Sequence, residues 1–253
     1  MTGERATVAP TWHISRVAST GSTNADLLGL ARSGAAFGTV LVADHQTAGR
    51  GRLGRRWEAP EGSSLLVSIL LPPDLGHLGG VVQPQRLTQA VALSAAAACE
   101  EVAGVRPELK WPNDLLVGDR KLAGILAETL IVRGQVSAVV VGLGLNVTWP
   151  DVLPAELAGL ATALNHEAGT DVDRLAVLDS LLAHLAGTRW AELSGAYRSR
   201  LGTLGRRVRV DLGTVEVEGV AVDVADDGNL VVEADGGSRH VISAGDVVHL
   251  RSE

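Results

Sequence analysis

Apolar residues in this chain fall into three kinds of pattern. The first is a set of short runs rich in Val and Leu: Gly38-Thr-Val-Leu-Val-Ala43, Ser64-Leu-Leu-Val-Ser-Ile-Leu-Leu71 (stopped by Pro72-Pro73) and Ser137 to Val147. Such runs predict buried strands. Glu108-Leu-Lys-Trp111, Asp114-Leu-Leu-Val117 and Lys121 to Glu128 read as further strands, joined to their neighbours by the tight turns Gly118-Asp119-Arg120 and Arg133-Gly134-Gln135. The second kind has helical spacing. A short stripe spans Ala25 to Ala31 behind the cap signal Ser22-Thr-Asn24, with Gly34 beyond it. An alanine-rich stretch from Gln83 to Val102 ends at Gly104, and one long helix is predicted over Asp171 to Leu201, capped by Asp171 or Asp173.

The third pattern begins after Gly202 to Gly205. There the chain becomes short-period and valine-rich, through Val208/Val210, Val215/Val217, Val220/Val222/Val224, Leu230/Val232, Val241 and Val247/Leu250, with turns at Asp226-Asp-Gly-Asn229 and Asp235-Gly-Gly-Ser238. About five strands in so short a stretch describe a small SH3-like β-barrel. The expected architecture is therefore α+β: a mixed β-sheet with helices packed on one face over residues 1–202, and a C-terminal SH3-like β-barrel over 203–253.

Composition narrows the function classes. The 253 residues carry a net charge of -7, which gives no global field to attract nucleic acid. No apolar run is long enough to span a bilayer, and the polar start Met1 to Pro10 lacks a signal-peptide core, so a cytoplasmic location is expected. Cys99 is the only cysteine, lies in an alanine run and reads as a small buried hydrophobe.

Against that acidic background, Thr47-Ala-Gly-Arg-Gly-Arg-Leu-Gly-Arg-Arg-Trp57 concentrates four arginines and three glycines. Guanidinium groups clamp phosphate or carboxylate in a bidentate way, and glycine lets backbone approach a ligand closely. Gly49, Gly51 and Gly54 also fit the spacing of a dinucleotide-binding turn. That fingerprint needs a helix to open at once, and Trp57-Glu-Ala-Pro60-Glu-Gly62 forbids a long one. The stretch reads as a flap over a small polyanion, mobile when empty because it has few apolar anchors.

Two more clusters stand out. Lys110-Trp-Pro-Asn-Asp114 forms a rigid corner around Pro112, and Lys121 lies in an apolar strand with Gly124 close by, an arrangement suited to an anion and a flat ligand. In Val139-Val-Val-Gly-Leu-Gly-Leu-Asn-Val147, glycine bulges in a core strand would explain Gly142 and Gly144, whereas Asn146 needs a partner if it is buried. Ser22 to Asn24 serves either as a cap alone or as a polar ligand site at a helix start.

In this order, Gly49 to Trp57, Lys110 to Asp114, Lys121-Leu-Ala-Gly-Ile-Leu126 and Gly142 to Asn146 resemble the motifs of biotin protein ligases. Ser22-Thr-Asn24 is similar to the start of that family's catalytic domain, and Gly245 to Arg251 to its C-terminal barrel. The resemblance implies a class II synthetase-like core that joins biotin to ATP as biotinyl-5′-AMP and passes biotin to a lysine of a biotin carboxyl carrier domain of an acyl-CoA carboxylase, with Mg²⁺ accompanying ATP. It implies biotin contacts from Ser22, Thr23, Asn24, Gln46, Arg50, Gly51, Arg52, Lys121 and Gly124. Nucleotide contacts would come from Arg50, Arg52, Arg55, Trp57, Lys110, Asn113, Lys121 and Asn146, and catalytic roles would fall to Arg50, Arg52, Lys121 and Asp114. No dedicated metal ligands are identified.

Leu53 stands where the family often has a basic residue. The few residues before Ser22 leave no room for a winged helix, so no sequence-specific DNA binding is expected. Rival readings are a lipoate or octanoate ligase, a non-catalytic cofactor-binding module and a nucleic-acid binder centred on the arginines. Monomer and homodimer are both compatible with the pattern.

Overall fold

The computed structural model describes residues 11–78, 81–151, 157, 159–213 and 215–250; Arg251 of the tail motif lies outside them. The chain runs β1 (His13–Thr20), α1 (Thr23–Arg32), β2 (Thr39–Gln46), β3 (Ser64–Leu71), β4 (His77–Leu78), β5 (Val81–Val82) and α2 (Pro84–Ala103). It continues through β6 (Glu108–Lys110), β7 (Asp114–Val117), β8 (Arg120–Val132), β9 (Gln135–Asn146), α3 (Leu164–Ala168), α4 (Arg174–Ala186) and α5 (Leu193–Arg200). Strands β10 (Arg207–Asp211), β11 (Glu216–Val224), β12 (Leu230–Glu233), β13 (Arg239–Ile242) and β14 (Asp246–His249) complete it. Among the described residues, no helix is long and apolar enough to cross a membrane.

The main sheet has the order β1-β2-β3-β9-β8-β7-β6, parallel only between β1 and β2. The two faces of its central strands do different work. Leu65, Val67 and Ile69 of β3, with Val139, Val141, Leu143 and Leu145 of β9, bury against α2 and α4 in the principal core. The alanines of α2 allow that helix to lie close to the sheet, and Gly104 ends it in the left-handed region at φ 65°. Placing every helix on one face proves too simple. Leu27 and Leu28 of α1 pack with Leu70 and Val140, which belong to the opposite pleat of the same strands.

Three further differences from the sequence reading have local causes. Asp171 to Leu201 is not one helix. Asp173 caps α4 by accepting from Leu175 N at 2.8 Å, Gly187 ends it, and α5 restarts with Leu193 and Tyr197 buried. In β11 the buried residues are Val217, Gly219, Ala221 and Val224, while Val220 and Val222 are exposed. A register shift between Ala221 and Asp223 changes which side chains face inward, a shift that valine spacing cannot signal. The C-terminal strands form an antiparallel sheet, β13-β12-β11-β10-β14, over one apolar face. Among the described residues, no pairing of β13 with β14 closes it into a barrel.

The C-terminal sheet is keyed to the larger sheet through polar contacts. Trp111 Nε1 donates to Gly228 O at 2.9 Å, Trp111 N to Thr203 Oγ1 at 3.0 Å, and Arg86 Nη1 to Asp226 O at 3.0 Å. His249 joins this seam with Nε2 3.1 Å from Thr203 Oγ1. Burial, then the nearby charges of Lys110 and Arg206, lower its pKa to about 4. The folded protein therefore keeps His249 neutral where an unfolded chain, titrating near pH ~6.5, takes up a proton. Its contribution to stability is full above that pH and is lost as pH falls from there towards about 4. Melting temperatures at neutral pH and near pH ~5 should fall less for His249→Gln than for the unaltered chain; equal falls would remove His249 as the cause.

Candidate active site

On the face of the main sheet that carries α1 lies an open cleft. Its floor consists of the glycines of β8 and β9. A Cβ on Gly142 would come within 2.9 Å of Asn24 Cγ, and one on Gly144 within 2.7 Å of the Trp57 indole. At Gly124 the clearances would be 3.0 Å to Trp57 and 3.1 Å to Lys121 Nζ. These glycines are therefore neither bulges nor hinges. They let the Asn24 amide, the Trp57 indole and the Lys121 side chain lie directly against the sheet.

One end of the cleft is polar and internally braced. Thr23 donates from both N and Oγ1 to Gln46 Oε1, at 2.8 and 3.0 Å. Asn24 Nδ2 donates to Leu126 O at 3.1 Å and to Glu128 Oε2 at 2.9 Å. The buried Ser68 hydroxyl lies 2.6 Å from Asn24 Oδ1 and 2.8 Å from Thr23 Oγ1. Ser22 occupies the N-cap position of α1 but makes no side-chain cap bond, although it is 5% exposed and lines the cleft. Capping alone therefore does not account for Ser22 to Asn24. Thr23 and Asn24 join a polar network with Gln46, Ser68 and Glu128 at this end of the cleft.

The other end is cationic. After β2 the arginine stretch folds back on itself, with Gly51 N bonded to Arg55 O at 2.7 Å and Trp57 N to Gly49 O at 3.0 Å. Only a three-residue turn, Arg52–Gly54, interrupts it, so no helix follows the glycines as a dinucleotide turn would require. The stretch is folded as a hairpin, with Arg50 bridged to Arg56. At its tip Leu53 holds the left-handed conformation, φ 55°, and is 70% exposed, outside the lining of the cleft.

Four of the cations lining the cleft, Arg50, Arg52, Arg55 and Lys121, have protein partners. Arg50 donates to Glu128 Oε1 from both terminal nitrogens, at 3.2 and 3.0 Å. Arg52 donates to Asn113 Oδ1 at 3.4 Å and to Gly245 O at 3.2 Å. Arg55 pairs with Asp246 at 3.0 Å. Lys121 Nζ lies 2.7 Å from Asp114 Oδ1 and 5.6 Å from the centre of the Trp57 ring. Burial pulls the Arg52 guanidinium below its usual pKa, and the charges of Asp246 and Asp114 partly restore it. The ion pairs of Arg50, Arg55 and Lys121 are partly exposed, and solvent screens them accordingly.

The structure brings nearly all the expected site residues to this one cleft, Lys110 and Asn113 included. Asn146 is the exception. It shares the pleat of Gly142 and Gly144 but is 2% exposed, with Nδ2 donating to Thr162 O at 2.9 Å. The backbone pairing of Lys121 with Ala161 draws residues 160–163 across it, so its amide braces the wall rather than lining the cleft. Three participants were missed: Ser68, Glu128 and Asp246. A serine and a glutamate inside otherwise apolar strands were available signals; Asp246 carried none beyond its place in the tail motif. Among the described residues, no group of three or more His, Cys, Asp or Glu gathers to hold a metal. Cys99 lies in the core away from the cleft, its thiol pushed up to about 12 by burial, which leaves it inert.

Comparison with known proteins agrees with this geometry. Residues 16–146 match the model of the biotin/lipoate A/B protein ligase family, and residues 203–250 match the biotin protein ligase C-terminal domain. A biotin–[acetyl-CoA-carboxylase] ligase of Mycobacterium tuberculosis is 42% identical over 93% of this chain and 88% of its own length. One from Paracoccus denitrificans is 34% identical, covering 91% and 98%. The structure of a biotin protein ligase from Aquifex aeolicus in complex with biotin and ATP superposes with a TM-score of 0.78 at 30% identity, covering 94% of this chain and 99% of that one. With its glycine floor, polar end and cationic rim in one cleft, the chain belongs to the biotin/lipoate A/B protein ligase family.

Proposed function

We propose that this protein is a biotin–[acetyl-CoA-carboxylase] ligase: it condenses biotin with ATP to biotinyl-5′-AMP and pyrophosphate, then transfers the biotinyl group to a lysine of a biotin carboxyl carrier domain. The observation that carries this reading is the sharing of one cleft by a braced hydrogen-bonding end and a cationic end of four arginines with Lys110 and Lys121. A ureido ring offers N–H donors and a carbonyl acceptor, which suits Thr23, Asn24 and Gln46. The similar ligases of Mycobacterium tuberculosis and Paracoccus denitrificans are named for biotin, which favours biotin over lipoate as the acid.

The cationic end answers the difficulty of the first step. A carboxylate brought to a triphosphate is repelled by about 4 kcal/mol per unit pair at ~4 Å and an effective dielectric near 20. Arg50, Arg52 and Lys121 offset that repulsion as the biotin carboxylate attacks the α-phosphorus and pyrophosphate leaves. Trp57, seated on Gly144, offers its indole to the nucleotide base, and the hairpin keeps water from the anhydride. Asp114, Asp246 and Glu128 are each paired with a cation, so the walls hold no cage for Mg²⁺, which enters with ATP as part of the substrate. Residues 1–202 form the catalytic unit in this assignment, and 203–253 close one side of its cleft.

In the second step the carrier lysine must lose a proton before attacking the anhydride, since its free pKa is about 10.4. Asp114, 2.7 Å from Lys121, is the carboxylate on the wall beside the reaction centre. Asp114→Ala should slow transfer from isolated biotinyl-5′-AMP to the carrier by roughly tenfold or more. A normal transfer rate would remove Asp114 from this step. The reading as a whole is tested by incubating the protein with a purified carrier domain, Mg·ATP and either biotin or lipoate. Mass spectrometry should show one biotinyl group added in the first case and nothing in the second; ligand binding without pyrophosphate release would mean a non-catalytic module.

A further inference from the structure

The arginine hairpin touches the C-terminal sheet at one place, the turn leading into β14. Asp246 Oδ1 lies 3.0 Å from Arg55 Nη2, and the neighbouring Gly245 O accepts from Arg52 Nη1 at 3.2 Å. Resting on the ligase reading above, we infer that Asp246 is a positioning residue for adenylation. From outside the catalytic unit it holds the hairpin in the attitude in which Arg52 and Arg55 meet the polyphosphate.

The turn is built as an abutment. Asp246 pairs in register with Asp211 of β10, and a Cβ on Gly245 would come within 2.6 Å of Val210 Cγ1 and 3.1 Å of Asp211 O. The backbone is thus pressed directly onto β10. The C-terminal sheet is in turn fixed to the catalytic unit by the bonds from Trp111 to Gly228 and Thr203 and by the Arg206–Glu108 pair at 3.2 Å. Displacement of the hairpin must therefore break contacts to a fixed partner.

A carboxylate on the wall of a triphosphate site has two opposite effects. It repels phosphate, and it orders the arginine it binds. Ordering wins here for two reasons. The Arg55 side chain is 57% exposed and reaches from a turn with no apolar anchor, so without Asp246 it would spread over many rotamers. Asp246 is itself 45% exposed, so solvent and Arg55 screen its charge from the cleft. The guanidinium edges that Asp246 and Gly245 leave free are the ones available to phosphate.

The test is pyrophosphate exchange by the full chain carrying Asp246→Asn, Asp246→Glu, Arg55→Gln, or Asp246→Asn with Arg55→Gln, alongside biotin binding without ATP. Asp246→Asn should lower kcat for adenylation about fivefold to tenfold with biotin affinity unchanged, and Asp246→Glu should restore most of the rate. The double variant should be no slower than Arg55→Gln alone, because both act through one contact. Full activity in Asp246→Asn, a lower KM for ATP, additive deficits, or parallel loss of biotin binding would each overturn the inference. Absence of exchange in the unaltered chain would instead sink the ligase reading, and this inference with it.

Discussion

Lys121→Met should slow adenylate formation by about a hundredfold to a thousandfold while biotin still binds and the protein still folds. The Lys121 backbone is held independently of its side chain: its N–H donates to Leu160 O at 2.8 Å, and its carbonyl accepts from Thr162 N at 2.9 Å. The substitution therefore subtracts an ammonium and little else. In the resting protein that ammonium is shared between Asp114 and the face of Trp57, the two groups flanking the place where carboxylate and α-phosphate must meet. Its charge becomes most valuable as negative charge spreads over the phosphorus, so the loss should fall on kcat rather than on biotin affinity. Lys121→Arg should not restore the rate. The Nζ position is already so close to Gly124 that a Cβ there would come within 3.1 Å, which leaves no room for a planar fork. Pyrophosphate exchange with a parallel biotin titration measures both effects. Near-normal exchange in Lys121→Met would remove the lysine from the chemistry.

The cleft and its scaffold were unequally legible in the sequence. Strands β3 and β9 and helix α2 could be read directly, because residues buried on two faces, or along a long alanine-rich stripe, leave no competing pattern. Strand β1 was missed for the opposite reason. It is an edge strand whose side chains are almost all exposed, so burial imposes no alternation on His13 to Thr20. The cations could be found because arginines clustered in an acidic chain need a local cause. Their counter-charges could not, because Glu128 reaches Arg50 only through the folding of the hairpin over β8, and Asp246 reaches Arg55 only through docking of a second sheet. Sequence spacing encodes neighbours along an element; it does not encode which elements meet. Asn146 shows the same limit. Its polarity in an apolar strand is visible in the sequence, but the carbonyl that its Nδ2 meets belongs to Thr162, on a segment outside the strand.

Two glycines on one strand should separate the two substrates. Gly142 and Gly144 lie on the same pleat of β9, one beneath Asn24 and the other beneath Trp57. The strand cannot yield at either site, since β3 pairs with it on one side (Ser68↔Gly142, Leu66↔Gly144) and β8 on the other (Leu126↔Gly142, Gly124↔Gly144). A methyl group added there must therefore displace the side chain above it. Gly144→Ala should lift the indole and with it the end of the hairpin, because Trp57 N is tied to Gly49 O. The expected result is a rise in KM for ATP, or a fall in the adenylation rate, of at least about tenfold, with biotin binding in the absence of ATP nearly unchanged. Gly142→Ala should do the reverse. It pushes the Asn24 amide away from Ser68, Leu126 and Glu128, leaving buried polar atoms unpaired, and biotin affinity should fall by about tenfold or more. Global stability should change little for Gly144→Ala, because alanine is easier to accommodate in an extended strand than glycine and the indole can swing into solvent. Isothermal titration with biotin alone and exchange kinetics at varied ATP measure the two arms. If both variants weakened the same ligand, the division of the cleft into a ureido end and a nucleotide end would be wrong, even though the family assignment would stand.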